Sequence, residues 1–257
     1  MPAMFVGHGN PMYAIEDNTY SLTWRALGKH MPRPQAVLCI SAHWETRGCF
    51  VSGAESPETI HDFHGFPQAL FDVQYPAPGS PELAMHIADT LADVPVSIDT
   101  TRGIDHGAWS VLMPMYPGAD VPIVQLSLDR GKPAAWHYEL GQKLAFLRRE
   151  GVLIVGSGNI VHALGEVVWR EGAQHGWALE FDTAIGDLIV SGDHEAIVHY
   201  ERLGDAARRS VPTSEHFLPL LYILGMQQPG EGLSFFNDAV TMGSLSMRSL
   251  LLSGEGA

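Results

Sequence analysis

Ala36-Val37-Leu38-Cys39-Ile40-Ser41-Ala42-His43-Trp44-Glu45 is an apolar run that gives way, within three residues, to a histidine. Met4-Phe5-Val6-Gly7-His8-Gly9-Asn10-Pro11 repeats the pattern near the start of the chain. Short apolar runs bounded by turn residues read as buried strands. In open parallel sheets, ligand sites form just beyond the carboxyl ends of such strands. Two imidazoles at two strand ends therefore point to a metal site, and the rest of the chain has to supply the other ligands.

Outward from these two runs, further strand-like segments fall at residues 94–98, 121–128 and 152–155, with the first two spanning 3–6 and 36–40. Helical patterns lie between several of them. In 81–91, Leu83, Ile87 and Leu91 recur at four-residue spacing, an amphipathic face. Leu140, Leu144 and Leu147 form a stripe within 133–150, and 177–191 and 194–203 also read as helices. Alternating strands and helices predict an α/β fold: a mostly parallel central sheet flanked by helices in three layers. With no internal repeat or Gly/Ser linker, residues 1–257 are read as a single domain. Residues 52–80 are rich in Gly, Pro and aromatics, with little periodicity. Such a stretch is either an active-site cover or an ordinary surface excursion.

Composition narrows the function classes. Hydrophobic residues make up 46% of the 257, enough for a sizeable core. The formal net charge of −14, with no long basic run, speaks against nucleic acid as a partner. The longest near-apolar stretch, 217–226, is about half of the roughly 20 residues a membrane span needs. No signal peptide is visible, so a cytoplasmic location is expected. Cys39 and Cys49 form neither a CxxC nor a disulfide framework, and Cys39 reads as a core residue.

Five of the thirteen histidines stand out by context. His8 and His43 are joined by His106, in the loop-like Gly103-Ile104-Asp105-His106-Gly107-Ala108-Trp109, where Gly107 allows close backbone approach. His162 follows Val155-Gly156-Ser157-Gly158-Asn159, read as a strand entering a turn that opens a helix. His216 lies in Pro212-Thr213-Ser214-Glu215-His216-Phe217, where Thr213 or Ser214 would cap a helix and place His216 in its first turn. His30, His86, His137, His194, His199 and His175 read as surface or packing histidines. No compact HExxH finger is present. Gly156-Ser157-Gly158 matches neither a GxSxG elbow, a P-loop nor a dinucleotide fingerprint. The placement of His8, His43 and His162 at or just after strand ends is what favours metal.

At these residues the chain resembles the class III extradiol ring-cleaving dioxygenases of the LigB-like superfamily, specifically the 4,5-DOPA dioxygenase group. The matching segments run nearly end to end: GHGNPM near the start, SAHWET at 41–46, DFHGFP at 62–67, DHGAW at 105–109, VQLSLD at 124–129, GVLIVGSGNIVHAL at 151–164, SEHFLPLLY at 214–222 and GSLSMRS at 243–249. The resemblance implies that His8, His43 and His216 bind one divalent metal. It implies that His162 faces the same site, as catalytic base or as a fourth ligand in a zinc-loaded form, and that His106 lines the pocket as proton donor or substrate contact. Fe(II) for activity, with Zn(II) in isolated protein, a catechol-type substrate and O2 follow from the same likeness. The oligomeric state stays open between a monomer and a small homo-oligomer.

Two departures stand out. The third ligand position is His216 rather than the carboxylate common among Fe(II) oxygenases. Glu215 is adjacent, but one helical residue would turn it roughly 100° away. His64, with His61, occupies a segment where an aromatic such as tyrosine is expected, and it is assigned to substrate binding.

The residue types suit the chemistry. A catechol hydroxyl resembles a phenol, with a pKa near 10 that a bound cation lowers. Neutral imidazoles leave the cation's charge available to a catecholate, and histidine both takes and returns protons at neutral pH. Three histidines with an open position also describe a zinc-dependent amide or ester hydrolase, with Glu45 or His162 activating water. A metal-stabilised, non-enzymatic protein on the same scaffold is the third reading.

Overall fold

The computed structural model describes residues 1–170 and 172–253. Among the described residues ten strands are formed: β1 (Ala3–Gly7), β2 (Ala36–Thr46), β3 (Cys49–Ser52), β4 (Val96–Asp99), β5 (Ile123–Asp129), β6 (Val152–Gly158), β7 (Gly232–Phe236), β8 (Val240–Thr241), β9 (Leu245–Ser246) and β10 (Ser249–Ser253). The helices are α1 (Thr19–His30), α2 (Gln68–Phe71), α3 (Pro81–Thr90), α4 (His106–Met115), α5 (Ala134–Leu144), α6 (Gly176–Ser191), α7 (His194–Val198), α8 (Asp205–Ser210) and α9 (Leu218–Gly225).

Eight strands build one sheet in the order β4-β3-β5-β2-β6-β1-β10-β7, and β8 and β9 pair separately. The central four, β5, β2, β6 and β1, are mutually parallel. Antiparallel pairings lie outside them, β3 against β5 on one side and β1–β10–β7 on the other. Strand alternation sorts the core into two layers. Phe5, Leu38, Ile40 and Ile154 face the side covered by α3, α5, α6 and α9. Met4, Val6, Val37, Cys39, Leu153 and Val155 face Trp24 of α1 and Trp109 and Leu112 of α4. The expected three-layer α/β architecture is therefore present. No helix among the described residues is long and apolar enough to cross a membrane.

Several local expectations need correction. β2 does not stop short of His43. It runs on to Thr46, past a register shift against β5 between Ile40 and Glu45. Gly156-Ser157-Gly158 is the end of β6 rather than a turn opening a helix, and His162 sits in an isolated bridge to Leu245. The expected helices at 133–150 and 194–203 each end in a 3-10 segment, Ala145–Glu150 and Tyr200–Leu203. β4 starts at Val96, because Val94 closes a turn onto the Leu91 carbonyl. His106 is the first residue of α4, capped by Asp105, and not part of a loop. His216 precedes α9 instead of lying in its first turn.

Candidate metal centre

The site lies where the carboxyl ends of β1, β2 and β6 meet the amino ends of α4 and α9. His8 continues β1 by one residue, its amide donating to the Gly158 carbonyl. His43 sits on the last part of β2. The segment carrying His216 approaches β6 so closely that a Cβ on Gly158 would come within 2.1 Å of the His216 carbonyl oxygen. Gly107 does the same for α4: a Cβ there would lie 2.5 Å from Ser41 Oγ and 2.7 Å from His43 Cδ2. Glycine at these two positions is thus a condition for bringing the histidines together.

A buried carboxylate anchors the arrangement. Asp105 is completely buried. It accepts from Ser41 Oγ at 2.7 Å, Gln125 Nε2 at 2.7 Å and the Ala108 amide at 3.1 Å. Arg102 pairs with it at 2.9 Å and also donates to the His43 carbonyl. The cap of α4 is thereby tied to β2 and β5, which sets His106 beside His43, ring centroids 3.8 Å apart.

His8, His43 and His216 bring one ligand nitrogen each within 4.8 Å of one another. The Nε2 atoms of His8 and His43 are 3.2 Å apart. Two nitrogens about 2.1 Å from one tetrahedral cation lie roughly 3.4 Å apart, so this spacing suits a shared ion. Hydrogen bonds orient the rings. Ser157 Oγ–H donates to the Gly107 carbonyl at 2.6 Å, so its oxygen can only accept from His8 Nδ1–H, at 3.0 Å. That puts the His8 proton on Nδ1 and leaves the Nε2 lone pair facing His43. His216 Nδ1–H donates to Glu215 Oε1 at 3.0 Å. Its Nε2 is buried with no hydrogen-bond partner. An orphaned, unprotonated imidazole nitrogen aimed at two others is what a cation would satisfy. The donor set therefore fits a divalent metal held by imidazole.

Burial keeps these rings neutral. It pushes His8 and His216 well below the usual histidine range, helped by the neighbouring imidazoles. Burial and the adjacent His106 push His43 down to about 4, and burial does the same for His162. Neutral imidazoles are the ligating form.

The remaining residues frame a pocket. The His162 ring stacks on His216, with centroids 3.4 Å apart and planes within 9°. His106 donates from Nδ1 to Asp62 Oδ1 at 2.9 Å, and its amide bonds the same oxygen. Burial alone would raise the Asp62 carboxyl. The His106 hydrogen bonds and the charges of His106 and His43 outweigh it and hold it down to about 2. Asp62, Phe63, His64 and Phe66 all line the pocket, so residues 52–80 contribute a wall of the site. His64 is on that wall, whereas His61 bonds the Val73 carbonyl instead. Glu45 is not among the described lining residues.

The structure thus brings together His8, His43, His106, His162, His216 and His64. Sequence reasoning passed over Asp62 and Ser157, and turned Glu215 away on helical geometry that this turn does not have. The DFHGFP segment held the signal for Asp62, since a carboxylate near clustered histidines is a ready partner for one of them.

Comparison with known proteins points the same way. The family model described as the catalytic LigB subunit of aromatic ring-opening dioxygenase matches residues 2–240. The chain is 49% identical over 256 residues to a protein of Escherichia coli (strain K12) named 4,5-DOPA dioxygenase extradiol, covering 97% of this chain and 94% of that one. A protein of the same name from Beta vulgaris is 42% identical over 228 residues, covering 86% and 85% of the two chains. The crystal structure of an uncharacterized protein from Escherichia coli K12 superposes with a TM-score of 0.84 at 43% identity, covering 98% of this chain and all of that one.

Proposed function

Because the chain belongs to the family of the catalytic LigB subunit of aromatic ring-opening dioxygenases, we propose that it is an extradiol dioxygenase opening the ring of a catechol with O2, on one divalent metal held by His8, His43 and His216. The observation that carries this reading is the convergence of three imidazoles, with His216 Nε2 buried and unpartnered, directly beside two further histidines. A ferrous ion bound there would supply a common site for the catechol and O2 and lower the pKa of the catechol hydroxyls.

The protein's own residues would handle the protons and the orientation. His162, neutral through burial, is the base that accepts a hydroxyl proton from the catechol. His106 is the proton donor and contact on the opposite side. Its Nδ1 is engaged by Asp62, so a proton donated toward the pocket comes from Nε2, with Asp62 holding the ring in that orientation. Asp62 is thus a positioning residue for His106, as Ser157 is for His8 and Glu215 for His216. His64 contributes to substrate binding from the pocket wall. Both atoms of O2 enter the product, as the bond next to the two hydroxyl-bearing carbons opens.

The test is reconstitution with Fe(II) without air, followed by L-DOPA and oxygen. A yellow ring-opened product with matched oxygen uptake is expected. Absence of uptake with L-DOPA and with a panel of simple catechols, at one bound metal per chain, would refute the reading. His8→Ala and His43→Ala should lose metal and turnover together, whereas His162→Ala should keep metal and lose turnover. Loss of metal from His162→Ala would make it a ligand instead.

A further inference from the structure

We propose that Trp169 is a specificity-determining residue of this site, its indole packing on the ring substituent of a bound catechol; the inference rests on the reading just given. Trp169 is one of six tryptophans. The other five are engaged: Trp24 and Trp109 are fully buried, and Trp44, Trp136 and Trp177 each lie under a cationic side chain. Trp169 is 80% exposed, although it lines the same cavity of about 420 Å³ as the histidine cluster. Solvent-facing aromatic surface at the edge of a polar site marks where a ligand completes the packing. The aromatic wall from residues 62–66 is different. Phe63 already packs on Phe66, Phe71 and Trp109, so that wall stands formed without a ligand.

The backbone fixes where the indole stands. The Arg170 amide donates to the Val168 carbonyl at 2.7 Å, which closes a γ-turn with Trp169 at its apex. This segment is tied to the turn between β8 and β9 from both sides. The Val168 amide donates to the Met242 carbonyl at 2.9 Å, and the Gly243 amide to the Ala173 carbonyl at 2.8 Å. With the backbone held, the indole is left with rotation about its side-chain bonds, a fast motion for an exposed residue. Depth decides what it meets. His8 and His216 are 2% and 5% exposed, so the cavity runs from buried histidines to Trp169 at its mouth. A catechol whose hydroxyls lie at the histidines turns a substituent para to one of them toward that mouth. The indole therefore touches the substituent and not the reacting carbons. Such a contact is made equally in ground and transition state, and it shows in KM rather than in kcat.

Zn(II)-loaded protein labelled with fluorotryptophan separates contact from turnover. The fluorine NMR resonance of Trp169 is assigned by its loss in Trp169→Phe. It is expected to move when L-DOPA is added, to lose most of its heavy-water isotope shift, and to respond much less to unsubstituted catechol. In Fe(II)-loaded protein, Trp169→Ala should raise KM for L-DOPA about tenfold and KM for catechol by less than about threefold, with little change in kcat. Trp169→Phe should restore most of the L-DOPA affinity, because it keeps an aromatic face. A Trp169 resonance that stays put while calorimetry shows L-DOPA bound would overturn the proposal. Equal KM changes for the two substrates, or a fall in kcat alone, would overturn it as well. Failure of the dioxygenase reading has a separate signature: the resonance responds to L-DOPA on zinc-loaded protein, and iron-loaded protein consumes no oxygen with any catechol.

Discussion

Ser157→Ala is expected to weaken divalent-metal binding by about 10–100-fold without abolishing the fold. Ser157 is wholly buried near the end of β6, accepting from His8 Nδ1 at 3.0 Å and donating to the Gly107 carbonyl at 2.6 Å. Removing its oxygen leaves both groups unpaired in a dry environment, at about 1–3 kcal/mol each. The loss at Gly107 falls on metal-free and metal-loaded protein alike, so it shows as a lower urea midpoint. The loss at His8 does not. Metal-free protein can move the His8 proton to Nε2, or turn the ring, and either change withdraws the lone pair from His43. Metal binding then has to reverse the change, and roughly 1.4–2.8 kcal/mol of reversal is the 10–100-fold loss. Competition between the protein and a chromophoric chelator for Zn(II) at neutral pH measures it, with urea denaturation of the metal-free protein run alongside. Ser127→Ala is the control. Ser127 is equally buried and its Oγ accepts from the Phe50 amide at 2.8 Å, but it belongs to the β3–β5 pairing and not to the histidine cluster. It should lose stability and keep metal affinity. Ser157→Ala with unchanged metal affinity, despite a lowered urea midpoint, would show that packing alone orients His8 and would refute the tautomer argument.

Three other perturbations probe neighbouring parts of the molecule. Gly107→Ala would force a Cβ against Ser41 Oγ and His43 Cδ2, so metal affinity should fall by about tenfold or more while far-ultraviolet circular dichroism is retained. Glu215→Ala should cost more metal affinity than Glu215→Gln, because the amide oxygen can still accept from His216 Nδ1; equal losses would point to the charge instead of the hydrogen bond. His137 is fully buried against the Tyr222 hydroxyl, and burial pushes it down to about 4 from 6.5. The unfolded chain takes up that proton first, so its effect is nil above about pH 6.5 and costs roughly 3 kcal/mol as the pH falls to 4. The urea stability of the wild type relative to His137→Gln should decline by that amount across the window. A constant difference would show that His137 protonates inside the native protein.

The architecture was legible because strand periodicity and burial are local in origin. The apolar runs at β1, β2, β5 and β6 are buried on both faces, so each reads as a continuous hydrophobic segment. The edge of the sheet was less visible. β7 and β10 carry mixed, partly exposed patterns, and the pairing of β10 with β1 joins residues about 250 positions apart. Helix ends were blurred where an α-helix tightens into a 3-10 turn, since apolar spacing barely changes across the junction.

Within the site, sequence alone singled out His8, His43, His106, His162 and His216, because each stands next to a strand-like run or a turn signal, and resemblance to a family assigned them roles. What it could not decide was which atoms face which. Whether His216 sits in a helix or in the turn before it determines whether Glu215 points away or grips His216 Nδ1, and that depends on Gly158 letting the chain pass close to β6. The tautomer of His8 depends on a serine proton directed at a carbonyl from α4. Asp62 reaches His106 across 44 residues. Residue type and spacing are encoded along the chain, but proton positions and lone-pair directions are set by partners distant in sequence, and only the packed tertiary structure brings those partners within a hydrogen bond of one another.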